Sequence, residues 1–275
     1  MTEYGQDARL TYSDYLHVPQ ILREQVCLSE PPAHDELQFI VVHQVYELWF
    51  KLVLFELDEV RTRIDAGTDA DLRTATRLCR RVETIFKVLV QQIHVLETMR
   101  PVDFLAFRTR LKPASGFQSV QFREVECLMG LKDADLLRRV SDDPRRAALE
   151  ARAEGDTIPD ALYRLLRGRG FNVTPPDAHR TEAQARTTLD VLRLIYEQPD
   201  EHDALYALCE ALVDVDEQLV LWRRHHIMMV ERQIGSKPGT GKGTTGDLDG
   251  IRYLLSTLGR QAVPDLWAVR TVLET

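Results

Sequence analysis

The chain has 275 residues, 44 % hydrophobic and 28 % charged, with a formal net charge of −8. These values fit a soluble globular chain long enough for one large core, and the acidic balance argues against a general nucleic-acid surface, which needs a basic face. No apolar run approaches the ~20 residues that cross a bilayer, so neither a membrane nor a nucleic acid is an expected partner.

The start, Met1-Thr2-Glu3-Tyr4, is acidic and polar and lacks a basic-then-apolar leader pattern. Residues 1–33 read as an N-terminal arm. After Pro31 and Pro32 a long helix is expected from His34 to about Ile64, with the seam Phe39, His43, Tyr46, Phe50, Val53, Leu57, Val60, Ile64. Asp35 and Glu36 suit its positive end. A turn over 66–69 leads to a helix of about 28 residues, with the seam Leu72, Ala75, Cys79, Val82, Phe86, Leu89, Ile93, Leu96. Pro101 opens a shorter helix to about Leu111, residues 112–116 form a loop, and a helix resumes from Phe117 to Leu128 and stops at Gly130. Residues 131–180 hold short charged pieces broken by prolines and glycines, an excursion from the bundle rather than a second core.

A helix from Thr181 to Tyr196 follows, then a long one from Asp203 to Ile234. Its seam is Leu205, Leu208, Leu212, Val215, Leu219, Trp222, His226, Met229. The adjacent His225 falls on a mostly polar row. Residues 235–250 are a glycine-rich stretch, read as a flexible linker or a lid over a pocket. Two short helices, Leu248–Leu258 and Pro264–Leu273, end the chain. No strand alternation is long enough to compete, so the expected fold is one all-α helical bundle. The cysteines are scattered, with no CxxC pair. Cys79 and Cys209 lie on apolar seams, which reads as free thiols in a reducing cytoplasm.

Chemistry enters through the two inward histidines. A buried imidazole costs about 1–3 kcal/mol for each unmet polar group, and His43 and His226 each interrupt an apolar row. Either one alone is most simply a core histidine bonded to a carbonyl. Two of them on two long helices point to a buried site between those helices, the way bundles build cofactor sites. Other patterns are weaker. The run from Gly235 to Gly246 lacks the preceding strand of a phosphate loop and has Gly243 where such a loop needs Ser or Thr. His34, Glu36 and His43 are spread over ~10 Å or more of helix axis, too far for one metal. Arg108 is either a solvated helix face or a fork for a carboxylate.

Taken together, several segments resemble the tryptophan 2,3-dioxygenase family. They are Leu10 to Leu16, His34 to Leu37, Phe39 to Gln44, Glu47 to Lys51, Ser115 to Ser119, Asp214 to Gln218, Leu221 to Arg223, His226, and Gly239 to Gly241, in family order over nearly the whole chain. The resemblance implies a b-type haem in the helical core, a homotetramer, and insertion of both atoms of O2 across the indole C2–C3 bond of L-tryptophan to give N-formylkynurenine. It makes His226 the iron ligand with Trp222 beside the cofactor, and His43 the distal residue that accepts the indole N–H. Phe39 becomes a pocket wall, Arg108 the clamp on the substrate carboxylate, and Thr240 a contact to the amino and carboxylate groups. Ser115 and Gly116 line the substrate site, and Tyr12 and Tyr15 belong to an arm that reaches a neighbouring subunit. Two departures stand out. Phe104 replaces a tyrosine common in the family, and the glycine-rich loop carries Lys242 and extra residues. Two other readings remain: a haem monooxygenase hydroxylating a substituted tryptophan at indole C3, and a non-catalytic haem-binding protein.

Overall fold

The computed structural model describes residues 10–133, 144–177, 179–235, 237, 255 and 257–274. Among these there is no strand. The helices are α1 (Tyr12–Tyr15), α2 (Val18–Ile21), α3 (His34–Ala66), α4 (Asp69–Leu96), α5 (Pro101–Arg108), α6 (Val120–Leu128), α7 (Arg146–Glu154), α8 (Ile158–Gly168), α9 (Glu182–Glu197), α10 (Asp203–Ile234) and α11 (Pro264–Ala268).

Their ends follow from local chemistry. Gly67, at φ 75°, closes α3 in the left-handed region where a side chain is strained. The next residue, Thr68, caps α4 by accepting from the Asp71 N–H at 3.2 Å. Thr157 with Asp160, and Thr181 with Gln184, form capping boxes at α8 and α9. The three long helices carry the core. α4 packs against both α3 and α10, burying the expected seam from Leu72 to Leu96. On α10 the residues from Leu205 to Leu219 of the seam are at most 1 % exposed.

The segment from 131 to 180 divides in a way its composition conceals. α8 is a core helix rather than an excursion, because Ile158, Ala161 and Leu166 are fully buried in the main cluster and α8 packs on α3. On its other face Arg164 pairs with Asp65 of α3. α7 is peripheral, placing Leu149 against Val120 and Cys127 of α6. Most of the helix expected over Leu248–Leu258 lies outside the described residues.

α3 is long and apolar enough by length and composition to cross a membrane, contrary to the expectation that no run was. It is a core helix here, carrying buried Glu36 and Glu56 and packing against α4, α6 and α8. All four cysteines are free, and burial pushes the Cys79 and Cys209 thiols up to about 12. At the C-terminal end, buried Asp216 of α10 accepts from the Ala262 N–H at 2.9 Å and the Trp267 indole N–H at 2.9 Å, fixing α11 to the core.

Glu36 does more than face a helix end. Its carboxylate accepts from the Leu28 N–H at 2.6 Å, the Ser29 N–H at 3.0 Å and the Ser29 hydroxyl, tying the N-terminal arm to α3. Burial alone raises its pKa, but the Ser29 hydroxyl, the two backbone N–H groups and Arg110 outweigh it and hold the group below its ordinary 4.5. Below that pH the unfolded chain therefore binds more protons here than the folded one. The stability involved is complete above about 4.5 and is lost as pH falls through the folded value. Glu36→Gln should flatten the acid limb of a plot of urea midpoint against pH; an unchanged limb would mean this carboxylate does not hold the arm.

Candidate functional site

Phe39 and His43, one turn apart on α3, stand on one face with ring centroids 4.0 Å apart. His43 Nδ1 lies 2.7 Å from the Phe39 carbonyl oxygen. A carbonyl only accepts, so Nδ1 carries the proton and donates. Burial lowers the His43 pKa, outweighing the Phe39 carbonyl and the charge of Glu47, and the ring is neutral near pH 7. A neutral ring with its proton on Nδ1 presents Nε2 as an acceptor.

α5 builds the wall beside this face. The Phe104 ring sits 5.6 Å from Phe39 and the Phe107 ring 5.7 Å from it, edge-on. Arg108 follows Phe104 by one turn on the same side of α5. Partial burial lowers its pKa, and a guanidinium stays charged regardless. The Ser115–Ser119 loop, with a 3-10 turn at Gly116–Gln118, is pinned to the same region. The Ser115 N–H donates to Gln118 Oε1 at 3.0 Å. The Ser119 hydroxyl and the Gln121 amide donate to Glu47 at 2.6 and 2.8 Å. Glu47 lies one turn after His43, so this carboxylate sets the loop's distance from the histidine face.

On α10 the Trp222 indole stacks on His226, with centroids 5.3 Å apart and planes at 17°. Trp222 also meets Phe122 at 4.6 Å, Phe50 at 5.8 Å and Tyr46 at 6.1 Å. Tyr46 in turn meets His43 at 6.3 Å. Ring contacts thus run from His226 through Trp222 and Tyr46 to His43. The two histidines also feel each other: burial, then the fields of His43 and Arg123, push the His226 pKa down to about 4. Neither His226 ring nitrogen has a hydrogen-bond partner among the described residues. A neutral, half-buried imidazole with an unengaged lone pair is what a metal ligand requires.

Beneath this helix face Arg123 and Glu126 of α6 meet Arg223 of α10, all three at least nine-tenths buried. Arg123 and Arg223 each reach one oxygen of Glu126, at 2.5 Å.

The structure therefore gathers Phe39, His43, Phe104, Trp222 and His226 through ring contacts, with Arg108 a turn from Phe104 and Ser115 and Gly116 in the pinned loop. It does not bring Tyr12 and Tyr15 there; these residues are 79 % and 69 % exposed on α1. Thr240 and nearly all of the glycine-rich stretch lie outside the described residues. Sequence reasoning missed Glu47, Ser119, Gln121 and the Arg123–Glu126–Arg223 cluster. The signal for Glu47 was its place one turn after His43. Arg123 and Glu126 form an i,i+3 pair on α6, both nearly buried.

The family model described as "Tryptophan 2,3-dioxygenase" matches residues 2–147 and 177–273. The chain belongs to the tryptophan 2,3-dioxygenase family. A relative of that name from a Nocardioides species is 46 % identical over 98 % of this chain and 96 % of its own length. One from an Anaeromyxobacter species is 44 % identical over 97 % of each, and one from Caulobacter vibrioides is 40 % identical over 96 % of this chain and 98 % of its own length. The stretch that the family model leaves unmatched contains most of α7 and all of α8. The dioxygenase model thus spans every element that carries the site, α3, α5, α6 and α10.

Proposed function

We propose that this protein is a haem-dependent tryptophan 2,3-dioxygenase, inserting both atoms of O2 across the indole C2–C3 bond of L-tryptophan to give N-formylkynurenine. The observation that carries the reading is the pair of neutral imidazoles on α3 and α10, one with its acceptor nitrogen defined and the other with its lone pair unengaged. The donor set fits a b-type haem: a neutral histidine for the iron, and aromatic side chains to exclude water. His226 would hold the iron and Trp222 would brace the ring. When bound, the haem supplies the centre at which dioxygen is activated.

The chain's own residues then orient the substrate. Nε2 of His43 accepts the indole N–H, because the Phe39 carbonyl holds the tautomer that leaves this nitrogen bare. Phe39 and Phe104 give the indole an apolar slot. Arg108 faces the α-carboxylate as a two-pronged donor. The Ser115–Gly116 loop closes one side, and Thr240 is assigned to the amino-acid end. Phe104 offers no hydroxyl, so the slot has one polar contact fewer than the family's common tyrosine provides. The exposed Tyr12 and Tyr15, and Leu22, Val26 and Phe55 at 68–71 % exposure, favour a further copy of the chain covering apolar surface of this one. The same reading takes the enzyme as a cytoplasmic homotetramer, with an arm from a neighbour completing each site.

Product analysis under 18O2 tests the activity. Two labelled atoms in a ring-opened product are expected. One labelled atom with the ring intact would replace this reading by C3 hydroxylation, and no turnover of any indole by haem-loaded protein would leave a binding protein. His43→Ala should retain haem and lose rate by about ten-fold, the worth of one hydrogen bond near 1.4 kcal/mol. Loss of haem from that variant would exchange the roles of the two histidines.

A further inference from the structure

We infer that the Arg123–Glu126–Arg223 cluster is an anion site beside His226, and that Arg223 receives there a propionate carboxylate of the haem. The inference rests on the haem reading above. The three side chains are only 7, 6 and 4 % exposed. Both Glu126 oxygens are engaged, Oε1 by Arg223 and Oε2 by Arg123. A buried cation that is not fully matched is strongly unfavourable, and one nitrogen of Arg223, Nη1, is buried with no hydrogen-bond partner. That nitrogen belongs to a planar fork whose natural complement is a carboxylate.

Its position identifies which carboxylate. Arg223 lies three residues before His226 on α10, a spacing that puts two side chains on one helix face. The residue next to it, Trp222, stacks on His226, and the field of Arg123 reaches the His226 ring. A ligand held at His226 is within side-chain reach of this cluster. The amino-acid carboxylate has its own partner in Arg108 on α5, on the Phe39 and Phe104 side. The haem is the component of this site that brings further carboxylates, and they sit on its rim.

The test compares haem with its dimethyl ester, in which both propionates are masked, titrated into haem-free wild-type and Arg223→Gln protein and followed by quenching of tryptophan fluorescence. Wild-type protein should bind haem on the order of ten-fold more tightly than the ester, the lower end for a hydrogen bond to a charged group. Arg223→Gln should lose about that factor for haem and little for the ester. Equal losses for both ligands, or a wild-type protein that does not discriminate between them, would overturn the inference while leaving the haem reading in place. Wild-type protein that takes up neither would remove the haem reading and this inference with it. Should circular dichroism show Arg223→Gln unfolded, the wild-type comparison still decides, and Arg223→Lys should keep the charge but only part of the discrimination.

Discussion

His226→Gly protein should emerge from haem loading without a stable cofactor, and imidazole added to the buffer should restore it. His226 is a neutral ring at physiological pH, with its pKa held down to about 4 by burial and by the neighbouring His43 and Arg123. Its orientation is set by stacking on Trp222 rather than by a hydrogen bond among the described residues. The substitution therefore removes the iron's bond and leaves the aromatic walls in place. Outer partners of a metal site typically contribute 10–100-fold in affinity, so loss of the ligand itself should weaken haem binding by more than about 100-fold. Free imidazole fits the space left by the ring and supplies the same nitrogen. The seam residues from Leu205 to Leu219 keep α10 in the core, so the variant should fold. Normal haem occupancy without imidazole would remove the assignment.

Arg108→Ala should raise KM for tryptophan by about 10–100-fold, the range for a hydrogen bond to a charged group of 1.5–3 kcal/mol. Its effect on kcat should be smaller. The clamp acts on the carboxylate, remote from the indole, and it binds ground state and transition state alike. Tryptamine, which lacks the carboxylate, provides the control: wild type and variant should handle it equally poorly. An unchanged KM for tryptophan would contradict the role, and so would a further loss on tryptamine, which would indicate that Arg108 supports the fold of α5.

Much of this arrangement was legible in the chain because it rests on periodicity. The seams of α3, α4 and α10 predict which faces turn inward, and two histidines on those seams predict where polar chemistry enters an apolar core. α10 was bounded at Asp203 and Ile234, the limits it has in the structure. Periodicity is a property of one helix, however, and it gives no information about which helices meet. The burial of α8 was hidden because its charged face and its Pro and Gly borders look like those of a surface piece. Its apolar face finds its partner on α3, far away in sequence. The Glu47 network with Ser119 and Gln121 was hidden for the same reason, as it spans more than seventy residues. Glu36 looked like a helix-end charge because its true partners, Leu28 and Ser29, lie in an irregular arm with no repeating pattern. The roles of Arg108 and His43 came from resemblance; what the structure adds is the physical means, a fixed tautomer on His43 and an aromatic face one turn from Arg108.

The most direct test of a haem iron bound between α10 and α3 is resonance Raman spectroscopy of the ferrous, haem-loaded protein. An iron–histidine stretching band should be present in the wild type, persist in His43→Ala, and disappear in His226→Gly, returning altered when imidazole is added. A band that survives replacement of His226, or that vanishes with His43, would contradict the arrangement.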